Sequence, residues 1–122
     1  MDDNWINLKN LQSDGQTGIT ADIDLPGNSP WFSGHFPGFP ILPGIAHLSI
    51  AAHAIRESEK RKGRNLAVSE IKKVRFRKMV APGGILKIEA APDRDHANHF
   101  LFTITADGEN ASRGTIVMRE IR

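Results

Sequence analysis

The chain has 122 residues, a formal net charge of only +2, 39% hydrophobic and 25% charged residues, and no cysteine. That length predicts one domain over residues 1–122, burying roughly two-thirds of its unfolded surface, and the ordinary composition excludes collagen, coiled-coil and disordered classes. Without cysteine there are no disulfides, thiolate metal sites or cysteine nucleophiles; with no apolar run of membrane-span length and an acidic start at Asp2-Asp3, a soluble cytoplasmic protein is the expectation.

Residues 5–11 are read as a short first strand closed by a turn at 15–18. Ile19, Ala21, Ile23 and Leu25 then alternate with Thr20, Asp22 and Asp24, the period of a half-buried strand that Pro26-Gly27 ends. Trp31 and Phe32 are bulky enough to anchor the adjoining loop or to wall it. From Gly34 to Gly44 the sequence GHFPGFPILPG spaces three prolines three apart among three glycines, which forbids regular helix and central strand and predicts a stiff, shaped loop. One titratable side chain, His35, sits in it.

A helix is predicted over about 45–62. Ile45, Ala46, Leu48, Ile50, Ala51, Ala52, Ala54 and Ile55 cover nearly the whole circumference of its first three turns, so that half is expected to be buried on all sides. The last turns become fully polar and Gly63 supplies the stop. Four extended segments come after it without another helix: 66–78, with Val74 and Phe76 on the apolar side; Leu86, Ile88 and Ala90; Phe100, Phe102 and Ile104; and, after a hairpin signal at Asp107-Gly108, residues 111–120. One buried helix with about six antiparallel strands gives an α+β chain, a sheet wrapped around a helix.

Chemistry concentrates where the proline-rich loop meets the helix. An imidazole is delivered beside a helix N-terminus, whose unpaired N–H groups and dipole suit a developing oxyanion. These residues carry a resemblance. GHFPGFPILPGIAHL is similar to the signature of the FabA/FabZ-type 3-hydroxyacyl-acyl-carrier-protein dehydratases, and Val74-Arg75-Phe76-Arg77-Lys78-Met79-Val80-Ala81-Pro82-Gly83 resembles that family's second block. The resemblance runs from about Ile19 to the C-terminus. It implies the hotdog fold, a homodimer or higher homo-oligomer, no cofactor, and an acyl thioester substrate on acyl carrier protein or coenzyme A.

Carried over residue by residue, the resemblance makes His35 the base that removes the α-proton and the Gly44 N–H the donor to the thioester carbonyl. Phe36, Gly38, Phe39, Ile41, Leu42 and Pro43 would border the substrate, with Phe39, Ile41 and Leu42 as walls of an apolar tunnel. The family's helix acid falls fourteen residues after His35, and that position is Ser49. A serine hydroxyl is a far weaker acid, and losing a general acid typically costs about 10²–10⁴-fold in rate. His53 lies one turn further on, able to donate directly or through Ser49 and a water, or simply to serve as a polar residue of the helix packing. Ser49, His53 and Glu57 share one helix face, but their side chains run in parallel over about 12 Å and do not converge as a nucleophilic triad. His47 points elsewhere on the helix, His96 and His99 flank a turn, and no grouping has metal-ligand spacing.

The basic runs 60–64 and 72–78 are read either as a solvated helix end and strand side, or as a landing surface for an acidic carrier, with Arg75, Arg77 and Lys78 as contacts. They lack interleaved exposed aromatics, which argues against nucleic acid. The leading expectation is a dehydratase-like lyase giving a 2-enoyl thioester. The alternatives are a non-catalytic acyl-binding subunit that a partner completes, and a hotdog acyl thioesterase; position 49 separates them.

Overall fold

The computed structural model describes residues 5–14, 18–26, 28–32 and 41–121. Strands β1 (Asn7–Ser13) and β2 (Ile19–Asp24) are followed by a single 3-10 turn at Pro30–Phe32 and helix α1 (Gly44–Lys60). Strands β3 (Leu66–Phe76), β4 (Leu86–Pro92), β5 (His99–Ala106) and β6 (Glu109–Glu120) complete the chain. They form one six-stranded antiparallel sheet in the order β1-β2-β4-β5-β6-β3, with α1 packed across β1 to β5.

The alternation read from the sequence sets the two faces of this sheet. Ile19, Ala21 and Ile23 of β2, Leu86, Ile88 and Ala90 of β4, and Phe100, Phe102, Ile104 and Ala106 of β5 all turn inward and are buried. The helix meets them with Ala46, Ile50, Ala51, Ala52, Ala54 and Ile55, none of them accessible to solvent. Four of these six side chains are alanine, so the helix axis can lie close to the sheet while the larger strand residues fill the space around it. The expectation that the first turns are buried all round fails at Ile45, which is half exposed in the first turn.

Irregularities in the ladders curve the sheet. Bulges interrupt β1 at Asn10, with φ 55, and β3 at Lys73, with φ 58; each adds a residue that bends its strand and increases the local twist. The β1 bulge also carries that strand on to Ser13, beyond the expected 5–11. Between β5 and β6 the turn tightens to Asp107-Gly108, both at positive φ, and β6 therefore begins at Glu109 instead of residue 111. At the other end of the run, Arg77 and Lys78 leave the β3 ladder, both backbone N–H groups donating to the Ala111 carbonyl.

Two polar ties hold the helix at its ends. Near its start, His47 is 2% exposed and its Nδ1 shares a 2.8 Å hydrogen bond with Oγ of the buried Ser112 on β6. At its end, Gly63 takes φ 82 and Arg64 N–H donates back to the Glu59 carbonyl, closing the last turn. Glu59 is buried there, within 3.3 Å of Arg64 and 3.7 Å of Lys62, and Arg64 reaches on to Glu120 and Asn98.

Both ties make predictions. Burial pushes His47 down to about 4 from its ordinary 6.5, so the unfolded chain binds this proton more readily than the native one. The stability this neutral His47 contributes is complete above pH 6.5 and is lost as pH falls toward 4, on the order of 3 kcal/mol over the window. Urea midpoints measured across that range should fall steeply for the native chain and less so for His47→Gln; equal slopes would assign the acid sensitivity elsewhere. Arg64→Met leaves buried Glu59 with Lys62 alone and should cost about 1–3 kcal/mol, read as a lower midpoint at unchanged m-value.

Candidate functional site

The site is built where α1 begins. Pro43 holds φ −68 and ψ 155, extended geometry that ends the proline-rich run and cannot continue back as helix, so Gly44 is the first helical residue. The residue before it is fixed in turn, since Leu42 is buried and its N–H donates to the Val80 carbonyl at 2.8 Å. Val80 belongs to the second block read in the sequence, and this bond ties the two blocks together. No side chain caps the helix, and neither the Gly44 nor the Ile45 backbone N–H has a hydrogen-bond partner among the described residues. Unsatisfied donors at a helix start, aligned with the positive end of its dipole, form a site for an oxygen that carries or gains negative charge.

An aromatic ring shapes the approach to those donors. Phe76, the last residue of β3, lies over Gly44 so closely that a Cβ there would sit 3.0 Å from the Phe76 Cζ. The ring stands edge-to-face on His47 with centroids 5.3 Å apart, and His47 is held by Ser112, which pairs with Phe76 in the β3–β6 register. Ser112, His47, Phe76 and Gly44 thus form one continuous contact chain from the sheet to the helix start. Phe76 was expected on the apolar side of its strand. It does face the helix side, yet it is 53% exposed, because it lies at the strand's end over the helix start. Nothing in the local sequence marked Phe76 as Gly44's neighbour, since 32 residues separate them.

Of the other expected site residues, His35, Phe36, Gly38 and Phe39 lie outside the described residues. Ile41 is half-buried, and Leu42 belongs to the hydrophobic core. Ser49 is inaccessible to solvent and its hydroxyl donates to the Ile45 carbonyl at 2.8 Å, a bond within the helix that occupies its proton. His53 and Glu57 border a cleft of about 550 Å³ between β1 and the second half of the helix, lined also by Ile6, Leu8 and Arg61; Ser49 is not part of that lining. The helix-face series Ser49, His53, Glu57 is therefore not gathered into one constellation. His47 is a packing residue, directed at β6. Among the expected carrier contacts, Arg75 and Arg77 are exposed, while Lys78 is half-buried and ion-paired with Glu109 at 3.5 Å. Among the described residues no three His, Asp or Glu side chains gather as metal ligands, and no helix is long and apolar enough to cross a membrane.

Comparison with known proteins identifies the family and the fold. The family model of ApeI-like proteins, described as ApeI dehydratase, matches residues 10–115. A 3-hydroxyacyl-[acyl-carrier-protein] dehydratase FabZ from Polynucleobacter necessarius is 36% identical over 112 residues, 87% of this chain and 75% of that protein. The FabZ of Rickettsia rickettsii is 33% identical over 109 residues, 84% of this chain and 75% of its own length. Among solved structures, a chain of the dehydratase heterocomplex ApeI:P from Xenorhabdus doucetiae superposes with a TM-score of 0.77 at 25% identity, covering 93% of this chain and 96% of that one. A putative thioesterase from Lactococcus lactis reaches a TM-score of 0.78 at 16% identity, covering 99% and 98%, a likeness of fold alone. The family model and these relatives cover most of the chain, and the sheet and helix match the solved structures: this protein belongs to the ApeI-like family of FabZ-like dehydratases and has the hotdog fold.

Proposed function

We propose that the protein acts on a 3-hydroxyacyl thioester, borne by acyl carrier protein or coenzyme A, and removes water to give the 2-enoyl thioester. The observation that carries this reading is the Gly44 N–H at an uncapped helix start, without a hydrogen-bond partner among the described residues and a few positions after His35 in the sequence. In the reaction His35 takes the proton from C2, the thioester oxygen gathers charge against the Gly44 N–H, the C3–O bond breaks, and the hydroxyl leaves as water with a proton from an acid. Phe76 gives the thioester an apolar surface beside the donor, and its contact with Gly44 fixes where that donor points. The exposed Arg75 and Arg77 at the end of β3, with Lys78 beside them, are the surface an acidic carrier would meet; a homo-oligomer is the expected assembly.

The acid is the open element of this scheme. Ser49 is a poor source, being buried with its hydroxyl proton already given to the Ile45 carbonyl. That bond favours a second reading, in which this chain is an acyl-binding subunit and a partner chain supplies the acid. The heterocomplex formed by the ApeI:P proteins is the kind of assembly it requires. A thioesterase would also lack its carboxylate here.

Turnover of a 3-hydroxyacyl thioester on carrier protein, following water loss and thioester hydrolysis together, separates the three. A dehydratase loses water, and His35→Ala lowers that rate by about 10²–10⁴-fold. Hydrolysis without water loss identifies a thioesterase. No turnover by the native chain, with tight acyl binding and activity appearing in Ser49→Glu, identifies the binding subunit. A second test addresses the donor. Gly44→Ala keeps the N–H but drives Cβ against Phe76, and misplacing the donor should lower kcat/KM by about 10–100-fold. Adding Phe76→Ala vacates the ring's space and should recover part of that loss; a fully active Gly44→Ala would remove the donor role from Gly44.

A further inference from the structure

We propose that the outer face of the sheet carries a phosphate-binding site, built from Lys73, Arg75 and Arg113, that takes a phosphorylated small molecule of nucleotide size. It does not rest on the dehydratase reading. Successive strand residues face opposite sides of a sheet, so Arg75 points away from the face on which Phe76 meets the helix. The β3–β6 register sets Arg75 directly opposite Arg113, and the β5–β6 register sets Thr103 beside Arg113 and Leu101 beside Thr115. The bulge at Lys73 brings a third cation to the same place. These six residues line a depression of about 580 Å³, within the size range of small-molecule sites.

Charge distinguishes this depression from the rest of the outer face. On the β1-β2-β4 half, Lys9 is paired with Asp24 at 3.3 Å and Lys87 with Asp22 at 3.8 Å. Among the described residues none of Lys73, Arg75 and Arg113 forms an ion pair, and the Arg75 guanidinium bonds only to the adjacent Val74 carbonyl at 3.3 Å. The carboxylate in their row, Glu89, lies one strand further away, beyond Thr103. Like charges directly opposite on paired strands destabilise the pair, and an anion between them reverses the sign of that interaction. Two guanidinium forks match a phosphate oxygen set bidentately, the half-buried Thr103 hydroxyl adds a donor, and half-exposed Leu101 offers an apolar side to the rest of the ligand.

The test is calorimetric titration of the full chain with inorganic pyrophosphate, ADP and adenosine at low salt. Pyrophosphate and ADP should bind, ADP more tightly because it also covers Leu101, and adenosine should not. Raised salt should weaken both. Arg113→Gln should reduce affinity by about tenfold and Arg75→Gln with Arg113→Gln by more, while Lys87→Gln on the paired half binds as the native chain does. Because Arg113→Gln removes a like-charge opposition, its Tm without ligand should equal or exceed that of the native chain, which shows that weaker binding is not a folding defect. Absence of binding by the native chain, or equal binding by the double variant, overturns the site. So does an acidic carrier protein that needs Arg113 while neither phosphate probe binds, and equal affinity for ADP and pyrophosphate overturns the nucleotide-sized ligand.

Discussion

The structure depends on a helix whose sheet-facing side chains are mostly alanine. Small side chains let the helix approach the sheet closely, and the large residues of β2, β4 and β5 then surround it with apolar contact that neither element could find alone. Strands reach around the helix only if the sheet curves, and the bulges at Asn10 and Lys73 supply curvature where a regular ladder would stay open. Once the helix lies there, its axial position is fixed by polar contacts at either end, His47 with Ser112 and Glu59 with Arg64. Each is made by a buried group with few alternative partners, so each specifies a position as well as contributing energy.

That fixed position also sets the direction of the helix start. Gly44 is held from two sides, by the Leu42–Val80 backbone bond before it and the Phe76 ring above it. The same packing favours glycine at the position, since a Cβ there would press against the tip of the ring. The two sequence blocks thus meet at Gly44, 32 positions before Phe76 in the chain.

The serine at position 49 belongs to a different logic. Its hydroxyl bonds within the helix to the Ile45 carbonyl, which suits a position closed to solvent. His53, one turn on, opens instead toward the cleft beside β1. The helix thus presents an uncapped start and a polar cleft beside its second half, with a buried serine between them.

Period-two alternation, one long apolar helix and the proline-glycine loop were legible in the sequence, because each depends on neighbours along the chain: hydrophobic period on backbone geometry, loop stiffness on fixed φ. From these came the α+β architecture and the place of the helix, while the donor role of Gly44 and the missing acid at Ser49 came only from the family resemblance of the two sequence blocks. The sequence could not reveal that Phe76 covers Gly44, that His47 reaches Ser112, or that Arg113 stands opposite Arg75. Those pairings are set by strand register, which bulges such as that at Lys73 shift and no local pattern announces. A shift of one residue in β3 would have turned Phe76 to solvent and Arg75 to the helix, so only the tertiary structure, where register is fixed by burying one whole face of the sheet, decided them.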